Sequence, residues 1–134
     1  MCTENDYLIG KKVEDELFLD IKNKFNLLDL KQSENKYAKF DYYNNEYFIE
    51  LKNRNCTSDK FNDIFFNYTK ILHGLNLNKK MIFIFKFLDK TLYIKYDKLL
   101  FDNYLVKRIN NRSDRGTNEF IICIFIPVKD MTIF

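Results

Sequence analysis

The stretch KFDYYNNEYFIELKN, residues 39–53, decides how this chain is read. Two alternating runs, KFDYY and EYFIELK, flank Asn44-Asn45. Asparagine accepts the left-handed backbone of a tight turn more readily than most residues, so the pattern predicts a β-hairpin. Successive strand side chains point to opposite faces, which puts Glu50 and Lys52 on one side and Ile49 and Leu51 on the other. With Asn44 and Asn45 as the turn, Asp41 stands opposite Phe48 and diagonal to Glu50, at a Cβ separation of roughly 6–8 Å. Two carboxylates at that spacing can grip one hard divalent cation, with a lysine one step along.

Working outward, Val13, Leu17, Ile21, Phe25 and Leu28 form one stripe at helical spacing, which predicts a helix over residues 13–28. Glu14 points along the centre of that stripe, so it brings a third carboxylate to the buried side, a costly place for an unpartnered charge. After the hairpin, NRNCTSD reads as a loop, and Ser58 or Asp59 can cap a second helix from about Lys60 to His73, which Gly74 ends. MIFIFKF and TLYIKY predict a hairpin around Leu88-Asp89-Lys90. NYLVKRI and EFIICIFIPV predict two further strands joined by the polar NNRSDRGT. The order gives an α/β (α+β) fold with a single mixed sheet, in one domain over residues 1–134.

Composition narrows the class. The 134 residues are 46% hydrophobic and 17% aromatic, enough for a folded core, and three glycines and one proline leave no room for a linker or repeat array. Abundant Phe, Tyr, Asn, Lys and Ile without Trp suit an AT-rich genome, which weakens any argument from a single Asn or Lys. A net charge of +3 permits nucleic-acid binding without requiring it. Three cysteines with no CxxC spacing argue for a reducing compartment and against a disulfide scaffold or zinc site. No signal-peptide core is present, and the longest apolar run, FIICIFIPV, is about half of the roughly 20 residues a membrane helix needs. The expectation is a soluble intracellular protein with no membrane partner.

Asp41 on one strand and Glu50-Leu51-Lys52 on the next, after a helix bearing Glu14, resemble the PD-(D/E)XK nuclease superfamily. KFDYYNNEYFIELKNRN, followed by NYTKILHGL and a late RSDRG…IPV, is most similar to small members encoded by large DNA viruses. The resemblance runs from about Gly10 to Val128. It implies a restriction-endonuclease-like α-β-β-β-α-β core with additional C-terminal strands, in the cytoplasm or nucleus of a host cell if viral. It also implies hydrolysis of phosphodiester bonds, with Asp41 and Glu50 as metal ligands, Glu14 as a further acidic ligand, Lys52 as the catalytic lysine, and Mg²⁺ or Mn²⁺ as cofactor. DNA is the implied partner, with RNA not separated from it and room left for a homodimer. The chain departs from the pattern at Phe40, where a proline commonly precedes the aspartate. Its second helix offers only Tyr68 and Lys70 in place of a Gln-x-x-x-Tyr signature.

The residue types suit this chemistry. Hydrolysis needs a nucleophilic water and neutralisation of a pentavalent anion, which carboxylate-held Mg²⁺ and a neighbouring ammonium can provide. Lys70 is read as a phosphate contact or a plain surface lysine. Lys107, Arg108, Arg112 and Arg115 form a basic cluster that either contacts a nucleic-acid backbone or is a solvated loop. The rival to the enzyme is a nucleic-acid-binding or interaction module that keeps the fold without turnover. A structural protein with a fortuitous Glu-x-Lys is a third reading.

Overall fold

The computed structural model describes residues 4–34, 38–110 and 120–134. The first helix, α1, spans Glu4–Lys24. Its apolar stripe of Val13, Leu17, Phe18 and Ile21 packs against the sheet, with Ile21 fully buried. The helix stops four residues before its expected end because Asn26 takes a left-handed φ of 55°. The Leu27 N–H then donates to the Lys22 carbonyl at 2.8 Å and the Asn26 N–H to Asn23 at 3.3 Å, the paired bonds of a Schellman cap. Leu27, not Leu28, continues the apolar face; Leu28 is exposed.

Strands β1 (Lys31–Gln32), β2 (Tyr42–Tyr43) and β3 (Tyr47–Asn53) follow. The hairpin between β2 and β3 forms, but with its register moved by two residues: Tyr42 pairs with Ile49 and Tyr43 with Phe48. The cause is the Asn44 side chain, which accepts from the Glu46 and Tyr47 amides at 2.9 and 2.6 Å and so makes Asn44 the first residue of the turn. Face parity survives the shift, and Asp41 comes level with Glu50 instead of lying diagonal to it.

The second helix is shorter than expected. Residues 63–67 form strand β4 (Asp63–Asn67), with Ile64 and Phe66 buried and Phe65 outward, and α2 begins only at Thr69 and runs to Asn76. The expected cap, Ser58, is instead bound through its amide and hydroxyl to the Asp89 carboxylate at 2.8 and 2.7 Å. Asn67 Oδ1 accepts the Thr69 amide at 3.0 Å and opens the helix. Gly74 lies inside α2, not at its end: a Cβ there would collide with the Met81 side chain. The helix is closed by Asn78 at φ 56°, whose amide donates to Leu75 while the Lys79 amide donates to Gly74.

Next come β5 (Lys80–Lys86), β6 (Thr91–Lys95), a short helix α3 (Lys98–Phe101), β7 (Leu105–Asn110), β8 (Phe120–Pro127) and β9 (Thr132–Ile133). The main sheet is mixed, in the order β1-β2-β3-β5-β6-β9, with β3 and β5 parallel and the other pairs antiparallel. The last long strands do not extend it: β4, β8 and β7 make a second, three-stranded sheet. Two sheets replace the expected single one because β4 supplies a strand where a helix was expected. The main sheet itself carries the order helix, three strands, helix, strand through α1, β1, β2, β3, α2 and β5, a restriction-endonuclease-like arrangement, with β4 set apart in the second sheet. One face of the main sheet buries Ile49, Leu51, Ile82 and Ile84 under α1. The other buries Phe83 and Phe85 with Ile71 of α2 and Ile64, Phe66, Ile124 and Ile126 of the second sheet.

Candidate active site on strand β3

Alternation along β3 sends Phe48, Glu50 and Lys52 toward α2, while Ile49 and Leu51 go under α1. Beside it, the Asp41 N–H donates to the Ile49 carbonyl at 3.1 Å, and Asp41 Oδ2 accepts the Leu51 N–H at 2.7 Å. The aspartate is therefore fixed to the strand that carries Glu50. Its carboxyl is within hydrogen-bonding reach of the Glu14 and Glu50 side chains. Glu14 is brought there by α1, whose backbone is tied to β2 by the Tyr42 hydroxyl donating to the Glu14 carbonyl at 2.6 Å. Its carboxylate also faces Lys11 Nζ at 3.8 Å.

Burial sets the electrostatics. Glu50 is 3% exposed, and desolvation pushes its carboxyl up to about 7, against the opposing pull of Lys52 and Lys70. Asp41 is raised to about 6, first by burial and then by Glu14, with the Leu51 amide working the other way. Desolvation also raises the Tyr42 hydroxyl, and the Glu14 and Asp41 charges add to it. The cluster is thus short of positive charge at neutral pH, a property of groups tuned for binding or reaction as well as of structural ion pairs.

Two ammonium groups answer part of that demand. Lys52 Nζ lies 3.4 Å from Glu50 Oε2. Lys70, in the first turn of α2, reaches the same oxygen, donates to the Lys39 carbonyl at 2.6 Å and lies 5.7 Å from the centre of the Phe40 ring. Despite both ion pairs, Oε2 accepts no well-directed hydrogen bond among the described residues. Phe40 is buried and stacks on Phe48 at 4.6 Å, so it packs this face and supports Lys70.

Asp41, Glu50, Lys52 and Lys70 are thus brought together, with Glu14 joined through Asp41. Among the described residues no three carboxylate, imidazole or thiol side chains are gathered about one ion-sized point; the lysines lie against the Glu50 oxygen. Lys107 and Arg108 lie on β7 in the second sheet, over the Phe125 and Phe120 rings. Arg112 and Arg115 lie outside the described residues. Arg54, absent from the sequence reading, continues the Glu50–Lys52 row: its amide donates to the Lys86 carbonyl at 2.8 Å, which extends the β3 pleat to it. The i+2 spacing from Lys52 was the available signal.

A family model described as "Phage putative PDDEXK endonuclease" matches residues 9–133. No curated protein and no solved structure matches the chain significantly. The chain belongs to this phage PDDEXK endonuclease family, which is a nuclease family and so implies a nucleic-acid substrate.

Proposed function

We propose that this PDDEXK family member is a divalent-metal-dependent nuclease that hydrolyses phosphodiester bonds, with DNA as its substrate. The observation that carries the reading is the Asp41–Glu50 carboxyl pair, in mutual reach, with Lys52 on the same face. The donor set suits a hard cation: two buried carboxyl groups in mutual reach, both with pKa values raised chiefly by burial. Asp41 and Glu50 would hold Mg²⁺ or Mn²⁺, while Glu14, not gathered with them about one ion-sized point, would act through its contact with Asp41. When bound, the ion supplies Lewis-acid polarisation of the phosphoryl group and a lowered pKa for water.

The rest of the work falls to the chain. The Leu51 amide favours the ionised form of Asp41 and holds its carboxyl against β3. Lys52, on the same face as the carboxyl pair, would present its ammonium to the attacking water or the developing phosphorane charge. Lys70 holds the approach from α2 and favours the ionised form of Glu50. The phage family and the AT-rich composition support a viral source and a DNA substrate.

The pairing of Glu50 with two lysines also suits a module that binds nucleic acid without cutting it. Nicking of supercoiled plasmid in Mg²⁺ or Mn²⁺ separates the two. Wild type should nick and Glu50→Gln should not. Wild type that binds plasmid but leaves it intact over a broad range of metals and substrates overturns the enzyme in favour of the module.

A further inference from the structure

A pocket of about 390 Å³ opens beyond the far end of β3, within the size range of small-ligand sites. Arg54 forms one wall. One guanidinium nitrogen donates to the Phe65 carbonyl at 3.1 Å, while Nε is buried with no hydrogen-bond partner among the described residues. Among the described residues this guanidinium is incompletely satisfied. The opposite side is aromatic. Phe65 and Phe125 lie with ring centres 5.2 Å apart, and Phe61 and Phe65 are 55% and 47% exposed. Cations stand over these rings: Lys60 Nζ is 5.5 Å from the centre of Phe61 and Lys107 Nζ is 5.1 Å from that of Phe125. Asp63 is the acid in the lining.

We infer that this pocket receives an unpaired base of the nucleic acid, stacked on Phe61 or Phe65, next to the nucleotide whose phosphate meets Lys52. An apolar small molecule makes no use of Arg54 in the lining or of the two ammonium groups over the lining rings, and a paired base inside a duplex has no free face to offer those rings. Exposed aromatic faces interleaved with cations are what a single strand requires, because every base has a π-face and every linkage a charge. Position agrees with this. Arg54 lies two residues beyond Lys52 on the same face, roughly 6.7 Å along the strand, about the span of one extended nucleotide. The inference rests on the proposed nuclease reading for the placement of the phosphate, but not for the existence of the base site.

The test uses the full chain in EDTA, where cleavage is suppressed, and fluorescence anisotropy with three labelled eight-residue probes: oligothymidylate, oligouridylate and an abasic deoxyribose-phosphate oligomer. Wild type should bind at least one of the two base-bearing probes about ten- to a hundredfold more tightly than the abasic probe. Phe61→Ala and Phe65→Ala should bring that ratio to within about threefold of unity, and Phe61→Tyr should keep it. Both phenylalanines are half-exposed, so folding should survive, and the tyrosine variant guards against a structural cause. Equal affinity for all three probes, or a ratio untouched by both alanine variants, overturns the pocket even if plasmid nicking is intact. A base-dependent ratio that the variants abolish, in a protein that never nicks, keeps the pocket and removes only the hydrolytic reading.

Discussion

Leu51 donates its backbone N–H to Asp41 Oδ2 at 2.7 Å, so the strand that aims Glu50 also fixes the carboxylate beside it. Such a bond favours the charged form of Asp41, yet burial and Glu14 still raise this carboxyl to about 6, and burial raises Glu50 to about 7. The sign of the stability effect follows. A carboxyl whose folded pKa lies above its unfolded value near 4 binds more protons folded than unfolded, so its contribution is full below about pH 4 and is lost as pH rises through 6 to 7. In EDTA, wild type should lose roughly 4–5 kcal/mol between pH 4.5 and 7.5 from the two carboxyls together, since about 1.5 pKa units of Asp41 and about 2 of Glu50 fall in that window and each is worth about 1.4 kcal/mol. Urea titrations of wild type and Asp41→Asn/Glu50→Gln give the comparison. The double variant should lack this component, and equal pH slopes in the two proteins would dismiss the coupled pair.

Metal should reverse that trend. An ion held between Asp41 and Glu50 must displace their protons, so its affinity rises over the same pH window. At pH 7.5, Mg²⁺ or Mn²⁺ at a hundred times its dissociation constant should stabilise the protein by about 2.7 kcal/mol through mass action. The gain should shrink at pH 5 and vanish in Glu50→Gln. A melting temperature indifferent to both ions at pH 7.5 counts against the site.

Much of this arrangement was legible in the order of residues, because alternation is a robust signal. Glu50 and Lys52 had to share a face, and a register error of two residues left Asp41 on it. The helix ends were not legible, since Asn26 and Asn78 close both helices and an Asn-rich composition hides such caps. Residues 63–67 were absorbed into a helix with Ser58 or Asp59 as its expected cap, whereas Ser58 is claimed by Asp89 from 31 residues away and Asp59 accepts from the Thr57 hydroxyl. Lys70 was singled out as a phosphate contact or a surface lysine, but that error hid its pairing with Glu50. In a helix ending at His73 it is an ordinary C-terminal cation, whereas in the first turn of α2 it opposes the helix dipole and needs a partner, which is Glu50.

Gly74 tests the packing that places Lys70. A methyl group there runs into Met81, which is 1% exposed and has little room to yield. Overpacking of this kind costs about 1–3 kcal/mol, against which alanine returns about 1 kcal/mol of helix propensity. Gly74→Ala should destabilise by up to about 2 kcal/mol in urea, and Met81→Ala should couple favourably with it in a double-mutant cycle. A stabilised Gly74→Ala would show that α2 does not press on β5 as described.

The two lysines on Glu50 should separate by what they change. Lys52 shares the strand face with the carboxylate pair, and its charge serves the transition state more than the bound substrate if it acts on the water or the phosphorane. Lys52→Ala should lower the plateau cleavage rate by about 10²–10³, the scale of removing one electrostatic stabiliser, while DNA affinity in Ca²⁺ falls far less. Lys70 is anchored to the Lys39 carbonyl and acts through Glu50. Without it the carboxylate loses one of the cations that favour its ionised form, and the Glu50 proton is held more tightly. Lys70→Ala should therefore move the acid limb of the cleavage profile to higher pH at limiting Mn²⁺, with the plateau within about tenfold of wild type. Cleavage rates from pH 5 to 9 for both variants, beside equilibrium binding in Ca²⁺, give the comparison. A plateau loss in Lys70→Ala as deep as that in Lys52→Ala, with no displacement of the acid limb, would transfer the role at the reacting phosphate from Lys52 to Lys70.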